Sequence, residues 1–177
     1  MYIPANIKFI LTFILCTLLK VNSQTIVFHV DELDCIPGNY GTFTMQLQPD
    51  WAPIGAQRVK ELAASNFFVN TRFFRVMPGF VAQFGIHGNP EVSSYYKQEK
   101  MVDDPVRQTN SYGTVTFATS GPNTRTTQLF INYGNNAFLD SQGFAPVGKI
   151  IQGMDVVERI CDKYSGNISQ GSIMSQG

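Results

Sequence analysis

Histidine is nearly absent from this chain: His29 and His87 are the only two, and no His or Cys pair stands at ligand spacing. This argues against the usual nitrogen and sulfur ligand sets of a zinc site. His29 lies in an alternating apolar stretch with no partner motif around it, so it reads as an ordinary strand residue rather than a general base. Charge is also sparse. Thirteen Lys and Arg stand against 13 Asp and Glu, which leaves no electrostatic footprint for nucleic acid. The chain has no internal repeat, no low-complexity tract and no serine or cysteine nucleophile motif. Its longest apolar-type run, Phe9 to Leu19, has eleven residues, well short of the ~20 that a membrane-spanning helix needs.

That run follows Lys8 and precedes the polar stretch Lys20 to Gln24, with small side chains at Val21 and Ser23. The pattern predicts a signal peptide over residues 1–23. Its removal would leave 11 basic and 13 acidic residues, a net charge near −2, with no membrane attachment, and would direct the protein to the secretory-pathway lumen or outside the cell. Cys16 falls in the leader, so Cys35 and Cys161 remain. An even pair in an exported chain invites a disulfide; two separate small buried residues are the alternative. Asn167-Ile168-Ser169 is a glycosylation sequon.

Fifteen Gly, nine Pro, 14 Phe and seven Tyr, scattered through 177 residues, favour short strands and turns in one β-rich domain. Strands are expected from Thr25, with Ile26, Phe28 and Val30 alternating, and over Thr42 to Gln48, with Phe43, Met45 and Leu47 on one face. A helix is expected from Pro53, with Val59, Leu62 and Ala63 inward. Further strands are expected over Phe73 to Met77, Phe80 to Phe84, Gly113 to Thr119, Gln128 to Asn132 and Pro146 to Ile150, and a helix over Met154 to Asp162. Ile86 to Asn110 shows no apolar period, and a long excursion of that kind is usually functional or locally packed. The domain is expected to cover residues 24–164, with a polar tail over 165–177.

Two longer motifs carry a resemblance. Phe73-Phe74-Arg75-Val76-Met77-Pro78-Gly79-Phe80-Val81-Ala82-Gln83-Phe84-Gly85 resembles the cyclophilin segment in which an arginine, a Pro-Gly-Phe turn and a glutamine follow in fixed order. Gly113 to Ile131 resembles that family's second signature through Phe117-Ala118-Thr119-Ser120-Gly121-Pro122-Asn123-Thr124 and Gln128-Leu129-Phe130-Ile131. Leu139-Asp140 and Val147 to Val157 continue the likeness in order, over about 120 residues in all.

The resemblance implies a mainly β fold, a closed antiparallel eight-stranded barrel capped by two helices, with a peptide groove on its outer face. It implies a monomeric peptidyl-prolyl cis/trans isomerase acting on proline-containing peptides or proteins, without cofactor or metal. Arg75 would be catalytic. Phe80, Val81, Phe130 and Leu139 would form the proline pocket, with Gln83 and Gln128 at its side and Phe138 at its rim. Ala118 and Thr119 would line the groove and offer backbone hydrogen bonds to an extended peptide.

The sequence departs from the family pattern in several places. Phe74 replaces a histidine often found before the arginine, Val81 replaces a methionine, and Phe138 replaces a tryptophan that contacts the drug cyclosporin. The loop Asp140 to Pro146 is one residue longer and holds no counterpart of the family's pocket histidine. No strand signal follows Tyr164, where cyclophilins have the strand that closes the barrel. These changes leave two readings, an isomerase that assists folding of exported proteins and a binding module that holds proline peptides but turns them over weakly.

Overall fold

The computed structural model describes residues 24–163 and 169–176; the expected signal peptide and the sequon asparagine Asn167 lie outside them. β1 (Thr25–Val30) and β2 (Gly41–Leu47) form an antiparallel hairpin, with Thr25 opposite Gln46 and Val30 opposite Gly41. In β2 the period of two sends Phe43, Met45 and Leu47 into the core and Thr42, Thr44 and Gln46 towards the surface. β3 (Arg75–Met77), β4 (Val81–Phe84), β5 (Thr114–Phe117), β6 (Leu129–Asn132) and β7 (Pro146–Gln152) complete one antiparallel sheet in the order β1-β2-β7-β5-β6-β4-β3.

The sheet curls strongly. β1 and β4 are five strand spacings apart in the order, a separation of ~24 Å if the sheet were flat. Yet the ring of Phe28 on β1 lies 5.9 Å from that of Phe84 on β4. Inside the curl, Phe43, Met45, Leu47, Val115, Phe117, Leu129, Ile131 and Val147 are almost wholly buried. At such sites, truncating a phenylalanine costs about 3–5 kcal/mol.

The closed barrel of eight strands is not what the described residues form. They supply seven, with β1 and β3 at the ends of the sheet. After β7 come α3 (Met154–Val157) and, past the undescribed residues 164–168, α4 (Gln170–Gln176), which lies against α2 (Pro90–Gln98). Ile173 and Met174 are adjacent rather than alternating, which suits one face of a helical turn better than a strand. α3 is shorter than expected because Arg159 and Ile160 bond three residues back, to Val156 and Val157, tightening the chain into turns.

α2 occupies part of the excursion in which no apolar period is visible. It buries no residue fully, and its short apolar side, Val92, Tyr95 and Tyr96, spans little more than one turn. Its start is set locally: Pro90 fills the first turn and the Asn89 side chain accepts from the Glu91 N–H at 2.8 Å. Tyr96 then packs edge-on against Phe67 at 5.0 Å. α1 (Pro53–Ala64) is capped from a distance, because Ala52 has no side-chain acceptor. The Asp104 carboxylate accepts from the Ile54 and Gly55 N–H groups at 3.1 and 2.7 Å, so the excursion satisfies two otherwise unbonded donors of the helix.

Cys35 and Cys161 form a disulfide with their Cα atoms 4.8 Å apart. The bridge joins the loop after β1 to the turn after α3. Beside it the Asp34 N–H donates to the Arg159 carbonyl at 2.8 Å, and Arg159 donates to the Asp34 carboxylate through Nε and Nη2. The Arg159 guanidinium holds the Asp34 carboxyl below its ordinary range. The bridged residues are 126 apart in sequence, and closing so long a loop removes unfolded-state entropy worth up to about 5 kcal/mol. Reduction should therefore lower the melting temperature by several degrees in a calorimetric scan with and without dithiothreitol, and a melting temperature indifferent to reductant would refute the stabilising role.

Candidate active site

The groove is built at the β3–β4 turn. Met77, Pro78, Gly79 and Phe80 close a tight turn through the Phe80 N–H and the Met77 carbonyl at 2.9 Å. Pro78 presets φ at the second position, and Gly79 at the third has a φ of 76°, the type II arrangement. Gly134 lets the neighbouring strand end approach this turn: a Cβ there would lie 2.5 Å from the Gly79 carbonyl oxygen. The turn therefore fixes where Phe80 leaves the sheet.

β4 and β6 bury every residue, but on two different faces. Ala82, Phe84, Leu129 and Ile131 point into the main core, while Val81 and Phe130 join Leu139 in a second cluster on the outer face, against which Phe80, Ala118 and Phe144 pack. Neighbouring strands place Arg75 opposite Gln83, Gln83 opposite Phe130, and Phe130 opposite Thr116. Directly paired residues share a face. A row of mixed chemistry thus crosses four strands, from a guanidinium through an amide to an aromatic floor.

Arg75 sits at the open end of that row. Its guanidinium carbon is 5.6 Å from the centre of the Phe80 ring, and Nη1 donates a long hydrogen bond, 3.4 Å, to Gln83 Oε1. Gln83 Nε2 donates in turn to Gln128 Oε1 at 2.9 Å. Phe138, 56% exposed, stacks on Phe80 at 6.0 Å. The result is an apolar depression walled by aromatics, with one side edged by two linked amides and a planar cation.

Beneath the depression lies a buried polar scaffold. The Phe80 carbonyl accepts from the Tyr133 N–H at 2.8 Å and from Asn136 Nδ2 at 2.9 Å. Asn136 also donates to Asn132 Oδ1 at 2.8 Å, and Asn132 Nδ2 bonds the Thr114 hydroxyl at 2.9 Å. Asn110, fully buried, donates through Nδ2 to Asp140 Oδ1 and the Phe144 carbonyl, both at 2.8 Å, and accepts from the Thr116 hydroxyl at 2.7 Å. Burial pushes the Tyr133 hydroxyl well above the ordinary phenol range, with the Glu158 charge adding to it, so it stays protonated and donates to the Val157 carbonyl. Each buried amide in this network finds a partner, as it must to avoid an uncompensated desolvation cost.

The structure brings together Arg75, Phe80, Val81, Gln83, Gln128, Phe130, Phe138 and Leu139 around one depression, with Ala118 at its edge. Two further hydrogen bonds shape this edge. The Ala118 N–H already donates to the Gln128 carbonyl at 2.9 Å, so it is not free to bond a peptide. The Thr119 hydroxyl is engaged within its own loop, with Gly121 and Thr124. The sequence reading also left Phe144 and the asparagine scaffold unassigned. Phe144 packs edge-on against Phe130 at 5.8 Å; its only signal in sequence was being the one large apolar side chain in the loop between Asp140 and Pro146.

Residues 33–174 match the profile of the family described as cyclophilin type peptidyl-prolyl cis-trans isomerase/CLD. The chain is 35% identical over 135 residues to a peptidyl-prolyl cis-trans isomerase of Acinetobacter baylyi, covering 70% of this chain and 69% of that one. It is 34% identical over 139 residues to peptidyl-prolyl cis-trans isomerase A of Dickeya dadantii, covering 72% and 70%. A crystal structure of a Cryptosporidium parvum cyclophilin type peptidyl-prolyl cis-trans isomerase shares the fold with a TM-score of 0.60 at 24% identity, over 73% of this chain and 85% of that one. The chain belongs to the cyclophilin family of peptidyl-prolyl cis-trans isomerases.

Asn136 holds the turn that carries Phe80. Asn136→Ala would take this donor from Asn132 Oδ1 and from the Phe80 carbonyl, so the variant should lose about 1–3 kcal/mol of stability in urea denaturation. An unchanged midpoint would show that the scaffold does not depend on it.

Proposed function

We propose that this protein catalyses cis/trans isomerisation of X-Pro bonds in exported proteins and so assists their folding, with Arg75 as the catalytic residue. The observation that supports this most is the position of the Arg75 guanidinium beside Phe80 and Gln83, at the edge of the depression floored by Phe130. Val81, Phe130 and Leu139 receive the proline ring, with Phe80 and Phe138 at its rim. The apolar-type leader sequence supports export to the secretory pathway or beyond. A solved relative of the same fold was crystallised in the presence of the dipeptide Ala-Pro, which agrees with a proline-peptide ligand.

The chemistry breaks no covalent bond. Rotation about a peptide bond meets a barrier of ~18–20 kcal/mol because the nitrogen lone pair is delocalised into the carbonyl. In the twisted state the nitrogen pyramidalises and becomes a better hydrogen-bond acceptor, which a planar fork of N–H donors can meet. Bringing a process of tens of seconds to milliseconds takes ~10⁴-fold, or about 5.5 kcal/mol. One charge-assisted hydrogen bond supplies only about 1.5–3 kcal/mol. The rest comes from binding the twisted form better than either planar one in a preorganised apolar site.

Arg75→Ala should reduce kcat/KM for a proline tetrapeptide at least tenfold with an unchanged circular dichroism spectrum, since it removes a half-buried groove side chain rather than a core contact. A folded variant with full activity would overturn the assignment, and a wild-type protein that binds the peptide but barely accelerates exchange would favour the binding-module reading. Phe138 lacks the indole N–H of tryptophan, so cyclosporin should bind weakly and Phe138→Trp should tighten it in a calorimetric titration. Nanomolar binding by the wild type would show that this donor is dispensable.

A further inference from the structure

We propose that Arg125 is a positioning residue for the proline pocket: together with Asp103 it fixes Phe144 as one of the pocket walls and thereby sets substrate affinity. This rests on the groove proposed above being the substrate site. Arg125 lies in the loop between β5 and β6 and is 5% exposed, an expensive place for a charge with no counter-ion. Its Nη1 pairs with the Asp103 carboxylate, its Nη2 donates to the Gly143 carbonyl, and its guanidinium carbon is 6.0 Å from the centre of the Phe144 ring.

Asp103 is itself fixed. Its N–H donates to Asn123 Oδ1 and its carboxylate accepts from the Asn123 N–H, both at 2.9 Å. Burial opposes its ionisation, but the Asn123 N–H and the Arg125 guanidinium outweigh this and hold the carboxyl below its ordinary range. The charge of Arg125 is therefore balanced within the protein by Asp103. Phe144 is held from its other side by Asn110 Nδ2 on its carbonyl and through its N–H to the Leu139 carbonyl at 3.3 Å. An insertion-bearing loop with no regular strand or α-helix of its own is thus pinned at consecutive residues, and its aromatic ring is delivered to the edge of Phe130.

A wall of this kind touches the proline ring in planar and twisted states alike, so its loss weakens binding of both and appears mainly in KM. Arg125 touches no substrate, and its effect passes through Phe144. The test is a double-mutant cycle on the full-length protein with a proline tetrapeptide, using Arg125→Met, Phe144→Ala and the pair, with circular dichroism as the check on folding. Phe144→Ala should raise KM about five- to tenfold. Arg125→Met should raise KM at least threefold with kcat changed less than twofold, and adding it to Phe144→Ala should raise KM no further.

Asp103→Asn, which keeps the shape and loosens the guanidinium, should give a smaller rise in KM and serves if Arg125→Met does not fold. KM unmoved in Asp103→Asn and in folded Arg125→Met, or effects that add in the double variant, would overturn the positioning role. Wild-type activity that requires Arg75 while KM ignores Arg125 would sink this inference alone. A wild type that neither binds nor isomerises the peptide would sink the groove assignment and this inference with it.

Discussion

In β4 and β6 every side chain is buried, and the two-residue period divides them between opposite faces of the sheet. The outer apolar cluster and the main core are therefore two sides of the same strands, and a shift that slid Val81 and Phe130 off the outer face would drive Ala82 and Ile131 out of the inner one. Register is fixed strongly under such a double constraint. The groove needs little separate stabilisation, because the energy that packs the core also places the residues that would grip proline. What the core cannot place are the loops that complete the walls, and there the protein uses buried amides and one buried ion pair instead.

That division explains what could be read in advance. The hairpin of β1 and β2, the helix at Pro53 and the strands that carry Arg75, Gln83 and Phe130 were legible because alternating apolar side chains and Pro-Gly punctuation report local geometry. α2 escaped because it is only nine residues long and its apolar side, Val92, Tyr95 and Tyr96, covers little more than one turn. Phe144, Arg125 and Asn110 escaped for a different reason. Each works through contacts across 18 to 34 residues of sequence, and no local pattern encodes which carbonyl a distant side chain will meet. The Ala118 N–H carries a ladder bond to the Gln128 carbonyl that the motif alone did not reveal.

The seven strands leave β1 and β3 at the two ends of the sheet. Near these ends the molecule gathers several cross-links: the Cys35–Cys161 bridge, the exposed Asp34–Arg159 pair and the Tyr133 hydroxyl on the Val157 carbonyl. Tyr133 belongs to both systems, since its N–H also supports the Phe80 carbonyl. Order at this end of the molecule and order at the groove are thus joined through a single residue, over a path of short bonds rather than through the hydrophobic core.

The disulfide also has a mechanical meaning. All residues assigned to the groove, from Arg75 to Phe144, lie between Cys35 and Cys161 in the chain. Tension pulling on the two ends of the polypeptide would pass across the sulfur–sulfur bond and bypass the stretch that folds into the groove. A protease that nicked any loop within that stretch would leave the fragments covalently joined. The stretch from Arg75 to Phe144 thus sits in a part of the molecule shielded from force along its own backbone.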